Sequence, residues 1–160
     1  MKNGMLVTKD KFKIVVNSLK TIEKKDVLVG IPAEKAPRTG NEMTNAILGY
    51  IHENGAPEIN LPRRAFLMPG IRGSKDKIAS YLKQAAQASM RGDKAGVERA
   101  LNAAGLTGMK GAQRKITEGP FIPLAASTIR HRRAQGRTGT RPLIDTGQLR
   151  RALTYVLRGV

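Results

Sequence analysis

Apolar side chains recur at i, i+3, i+4 and i+7 through Phe12, Val15, Val16, Leu19 and Ile22. That spacing predicts an opening helix, with Thr8 as its N-cap and Lys9, Lys11, Lys13, Lys20 and Lys24 largely on the other face. The run Val27-Leu28-Val29-Gly30-Ile31 is short, continuous and β-branched, and Pro32 stops it. It reads as a buried strand. Met43, Ile47, Tyr50 and Ile51 form a second helical stripe, ended by Asn54-Gly55, where Gly55 suits a left-handed cap. A long helix is predicted from Ser74, its cap, to Met90, with Ile78, Tyr81, Leu82 and Ala85 on one face. Lys94 to Ala104 reads as a weaker helix on Val97, Ala100, Leu101 and Ala104. Gly105 and Gly108 are expected to break it before a short helix over Met109–Glu118. A last short helix over Thr146–Leu153 leads into a closing strand, Thr154 to Arg158.

Between these elements the pattern fails in three places. Residues 33–42, rich in Pro, Gly, Ala and charge, read as a mobile loop. Pro57, Pro62 and Pro69 make residues 56–70 an extended arm lying on a surface, anchored by Ile59, Leu61, Phe66 and Leu67. Residues 119–141 are irregular and strongly basic, with a mobile loop over 130–141. The expectation is one domain over residues 1–160, of α/β (α+β) class. It has a small mixed sheet packed with several helices, long extended arms and basic loops.

Composition narrows the picture. Aromatics are 4% of the 160 residues and Trp is absent, so the core must be built from Leu, Ile, Val, Ala and Met. The net charge of +17 exceeds what solubility needs and points to an acidic partner: nucleic acid, an acidic protein surface or anionic lipid. The charge is uneven. Residues 31–60 are net −2 between basic segments, an arrangement that allows head-to-tail pairing of copies. No cysteine is present, which excludes disulfides, Cys-ligated zinc and a thiol nucleophile. No apolar run nears the roughly 18–20 residues of a membrane span. The first ten residues hold no signal-peptide core, so synthesis and action in the cytosol are expected.

Candidate chemistry is sparse. His52-Glu53 is a tempting pair, but helical neighbours point about 100° apart and do not converge on one atom. The H-E-x-x-H zinc spacing is absent, since residue 56 is Ala, and the only other histidine is His131. His52 is therefore assigned a structural or interface role, and no metal or cofactor is expected. Asp145, the sole acidic residue after Glu118, is expected to cap a helix and pair with a nearby arginine. Gly105, Gly108 and Gly111 match no phosphate-binding loop. Arg130, Arg132, Arg133, Arg137 and Arg141 are candidates for contact with DNA phosphates or an acidic partner chain. No aromatic is interleaved with them, so base stacking is not indicated.

Two blocks carry a family resemblance. One is Ala46-Ile47-Leu48-Gly49-Tyr50-Ile51-His52-Glu53-Asn54-Gly55-Ala56-Pro57, continuing through Ile59-Asn60-Leu61-Pro62-Arg63-Arg64-Ala65-Phe66-Leu67. The other is Pro123 to Arg130, then Pro142-Leu143-Ile144-Asp145-Thr146-Gly147-Gln148-Leu149-Arg150 and Leu153-Thr154-Tyr155-Val156. From about residue 27 onward the chain resembles the tailed-bacteriophage virion morphogenesis proteins, related to tail-completion and neck proteins. Asn54, where the family often has an aromatic, and Ala65, where it often has proline, depart from its pattern.

The lack of a catalytic constellation leads us to expect no enzymatic activity, and the resemblance implies a small α/β subunit. It would assemble as a homo-oligomeric ring, a hexamer, at the head–tail junction or the top of the tail. There it would complete or terminate the tail beside other neck and tail proteins, with DNA passing through the lumen. It would reside in the virion, assembled in the host cytoplasm, without membrane contact. Its subunit or partner contacts would include His52, Glu53, Pro57, Phe66, Leu67 and Asp145. A stand-alone nucleic-acid-binding protein is the alternative raised by the charge. A hydrolase using His52 or Asp145 is a weaker third.

Overall fold

A computed structural model of the chain describes residues 24–33 and 43–159, together with Lys13, Val16, Asn17 and Lys20. Those last four positions are helical, and Lys13 and Lys20 are exposed, in keeping with the predicted opening helix; the rest of that helix and of the 33–42 loop lies outside the described residues.

The fold is mixed α+β, and its sheet is a two-stranded antiparallel ribbon. Strand β1 (Lys25–Gly30) pairs with β2 (Thr154–Gly159), Lys25 opposite Gly159 and Gly30 opposite Thr154, which joins segments far apart in the sequence. Between them run α1 (Asn45–Asn54), α2 (Leu67–Arg72), α3 (Lys75–Met90), α4 (Lys94–Glu118), α5 (Ala126–Ala134) and α6 (Gln148–Ala152). The ribbon buries one face only. Val27 and Val29 turn toward α4, whereas Leu28 and Val156, directly opposite each other, are exposed. The continuous apolar run of β1 therefore overstated its burial.

Helix α4 is the spine. Gly105 and Gly108, expected to break it, lie within an uninterrupted 25-residue helix. Glycine in a helix costs about 1 kcal/mol relative to alanine, and here that cost is offset by close packing. A Cβ on Gly105 would collide with the Tyr155 ring, and one on Gly108 would crowd Val29. One on Gly111 would lie 2.5 Å from the Gly70 carbonyl. The three glycines form a groove that seats the ribbon and α2.

Two clusters of buried side chains flank this spine. Ala85, Ala88, Val97, Ala100 and Leu101 join α3 to the first half of α4, with Val27 and Leu157 against them. Phe66, Ala112, Ile116, Leu143, Leu149 and Leu153 join the second half of α4 to the Pro-rich segment and α6. Phe66 is 1% exposed, and burying such a side chain contributes on the order of 1.5–3 kcal/mol.

The Pro-rich segment is more structured than an extended arm. Residues 56–61 form a hook, with a 3-10 turn at Pro57–Ile59 and a bridge between Ala56 and Leu61. Pro69 sits in the first turn of α2, where a missing N–H is tolerated. Phe66 and Leu67 anchor the segment as expected, but Ile59 is 69% exposed and anchors nothing. Ser74 stands at the N-cap of α3 as expected, but its hydroxyl donates to the Gly70 carbonyl and makes no cap hydrogen bond. Gly55 has φ 82 and ψ 170, positive but outside the left-handed helical region.

Candidate functional site

The two sequence blocks that carry the resemblance converge in space. Between the hook and its continuation (59–64), the segment 123–128 and the turn 143–149 lies a cavity of about 670 Å³. Two arginines build its walls, one of them expected from sequence to contact DNA or an acidic partner and the other not singled out there.

The first is Arg132, 8% exposed. It sits on α5, a helix in the stretch expected to be irregular, so the first part of the predicted 130–141 loop is helical. α5 was hidden because its inward face is polar: the residue it buries is this guanidinium. Arg132 Nη1 donates to the carbonyls of Gly139, Arg141 and Ile144 at 3.0, 3.1 and 2.9 Å. Its Nε lies 3.5 Å from Asp145, whose other oxygen is 3.0 Å from Arg137. These carbonyls bracket Leu143, which has φ 62 and is buried in the core. A left-handed conformation costs a residue such as leucine roughly 1–2 kcal/mol. Arg132 holds the turn that imposes it. Asp145 thus makes the expected arginine pair but caps no helix, since the N-cap of α6 is Gly147.

The second is Arg64, 4% exposed. Its Nε and Nη2 donate to the carbonyls of Ile122 and Pro123, both at 2.9 Å, pinning the 121–125 segment onto the Pro-rich segment. Its backbone N–H donates to the His52 carbonyl at 2.8 Å. No carboxylate lies within ion-pair distance of it among the described residues. Burial lowers its pKa from the ordinary guanidinium value by penalising the charged form. Sequence reading passed over Arg64; its place in the recognised block, beside the Phe66 anchor, was the one available signal.

Of the other candidates, His52 lines the cavity with Asp145 and Arg132. Glu53 does not. Its Oε2 accepts from the N–H groups of Phe66 and Leu67 at 2.8 and 2.9 Å, and its Oε1 from Met68 at 3.1 Å. It ties the end of α1 to the start of α2. Glu53→Ala is expected to destabilise the fold by about 2 kcal/mol, with Glu53→Gln retaining part of that, in urea unfolding curves. Pro57 is exposed on the hook. Phe66 and Leu67 belong to the core and its margin, so they are not free contact residues.

The five arginines divide. Arg132 and Arg137 are engaged with Asp145, and Arg141 donates to the Thr117 carbonyl. That leaves Arg130 and Arg133 exposed on α5 with no ion pair among the described residues, the two best placed to meet a polyanion.

The α1 stripe faces the opposite way from a core stripe. Ile47 and Tyr50 are 49% and 73% exposed, and Met43 is exposed beside them, whereas Asn45, Leu48 and Gly49 turn inward. Gly49 is closely packed there: a Cβ would lie 2.9 Å from the end of the Ile31 side chain, which would have to move aside. Among the described residues no three metal-ligating side chains cluster, and no helix is long and apolar enough to cross a membrane. Compared with protein-family models, curated proteins and solved structures, the chain matches none.

Proposed function

We propose that the chain is a structural subunit of a tailed-bacteriophage virion. It assembles into a homo-oligomeric ring, a hexamer, at the head–tail junction or the top of the tail. There it completes or terminates the tail against other neck and tail proteins, with DNA passing through the lumen. It makes and breaks no bond, and its place is in the virion after assembly in the host cytoplasm.

The observation that carries this reading is the outward apolar stripe of α1. Ile47 and Tyr50 are exposed on α1, within the block that carries the resemblance, and Met43 is exposed just ahead of the helix; an exposed apolar patch of this kind marks a protein contact. A ring needs two different surfaces that meet head to tail. The exposed face of the ribbon, at Leu28 and Val156, is a second apolar surface on a different element.

Because Ile47 and Tyr50 are exposed, Ile47→Asp and Tyr50→Asp are expected to leave subunit stability within about 0.5 kcal/mol while abolishing assembly. Negative-stain images and thermal melts of the two variants check this. Rings that persist in both would remove α1 from the interface and with it the main support for the reading.

The exposed Arg130 and Arg133 favour a second reading, a stand-alone nucleic-acid binder. Such a protein should hold duplex DNA near ~0.15 M salt with a steep log–log salt slope. Binding lost at that ionic strength restricts these arginines to transient contact with DNA.

A further inference from the structure

We propose that the cavity beside Arg64 is a carboxylate-recognition site, taking the acidic group of a peptide segment from a partner protein. A guanidinium carries five N–H donors. Two of those on Arg64 are spent on the Ile122 and Pro123 carbonyls, and no carboxylate pairs with it among the described residues. A guanidinium only 4% exposed is costly to hold without a counter-charge, because no carboxylate offsets its desolvation. The cavity does contain one carboxylate, Asp145, but that is already held by Arg132 and Arg137. With Arg64 and Arg132 both lining it against a single acid, the site carries a net positive charge.

The ligand class follows from the walls. Leu48, Leu61, Pro62, Pro123 and Leu124 give apolar surface on either side of the guanidinium. Free phosphate would leave that surface unused, whereas a peptide can cover it and present one planar oxyanion to the fork of Arg64. The rigidity of the site supports recognition without rearrangement. Arg132 fixes one wall through three carbonyls, and Arg64 fixes another through two. This inference is independent of the virion reading, since a single subunit suffices to bind.

The test uses the purified full chain, with the Arg64 Nε–H resonance followed by NMR at low ionic strength. Three probes are titrated: a capped peptide whose sole acid is a glutamate, an acid-free peptide ending in a free carboxylate, and inorganic phosphate. Saturable binding of either peptide, tighter than phosphate, is expected, and the tighter peptide tells whether a side chain or a chain terminus is recognised. Arg64→Lys, which keeps the charge but loses the fork, should weaken the peptide ~10-fold or more, the equivalent of one charge-assisted hydrogen bond. Should that variant fail to fold, Thr128→Glu places a carboxylate in the exposed wall of the cavity. It is expected to raise the melting temperature and abolish peptide binding. No saturable shift, phosphate binding as tight as the peptides, or unchanged affinity in Thr128→Glu would each overturn the proposal.

Discussion

Arg132→Met is expected to destabilise the subunit by about 3–5 kcal/mol, the usual cost of breaking a buried charge network by removing one partner. The substitution keeps much of the side-chain volume, so the loss is chiefly polar. Three carbonyls, of Gly139, Arg141 and Ile144, would lose a shared donor, and Asp145 would retain only Arg137. The turn that holds Leu143 at positive φ would lose its brace, and Leu143 belongs to the same buried cluster as Phe66 and Ile116. Arg132→Lys should rescue little, since one ammonium cannot reproduce the contacts of Nη1 and Nε together. Urea unfolding measures the loss, with Arg130→Met on the exposed face of the same helix as the control. A loss for Arg132→Met no larger than that of the control would show that Arg132 is not what shapes this wall of the cavity.

The second large effect is expected at Gly70. In an open helix, glycine to alanine gains about 1 kcal/mol. Here the sign reverses. A Cβ on Gly70 would lie 2.5 Å from Ala112 Cα and 2.7 Å from both Ala112 N and the Gly111 carbonyl oxygen, all backbone atoms of α4 that cannot rotate aside. Helices α2 and α4 must then separate, and the cluster around Ala112 and Ile116 opens with them. Overpacking typically costs 1–3 kcal/mol, and a backbone clash belongs at or above the top of that range, so Gly70→Ala should lose about 3 kcal/mol or more. Gly73→Ala is the matched control. Its Cβ would meet the Pro69 and Gly70 carbonyls at 3.4 and 3.7 Å, ordinary contact distances, so it should be neutral within about 0.5 kcal/mol.

These two predictions mark where local pattern and tertiary structure part. Helical periodicity located α1, α3 and α6, and apolar runs located both strands, because each of those segments places apolar side chains at a regular period, although in α1 the stripe faces outward. The glycines of α4 misled because their value lies in what approaches them. Tyr155, Val29 and Gly70 come from elsewhere in the chain, and no local rule brings them there. Helix α5 was missed since the side chain it buries is an arginine, and a polar inward face leaves no apolar period to find.

Part of the site was legible. The lone acid Asp145 among arginines announced an ion pair; that it shares a cavity with His52 was not read from the sequence. Which arginines are buried was not legible: Arg130, Arg132 and Arg133 have identical chemistry, and only the rotation of α5 separates the braced one from the two in solvent. The α1 stripe was found by its spacing, yet spacing alone does not say whether the protein's own core or another surface covers it. Its exposure is why self-assembly, and not a larger core, is the reading favoured here.

Size-exclusion chromatography with multi-angle light scattering, run on the purified chain over a range of concentrations, tests that reading most directly. Growth with concentration into one closed species, six times the 17.4 kDa subunit mass, is the expected result. A particle of 17.4 kDa at every concentration would contradict it.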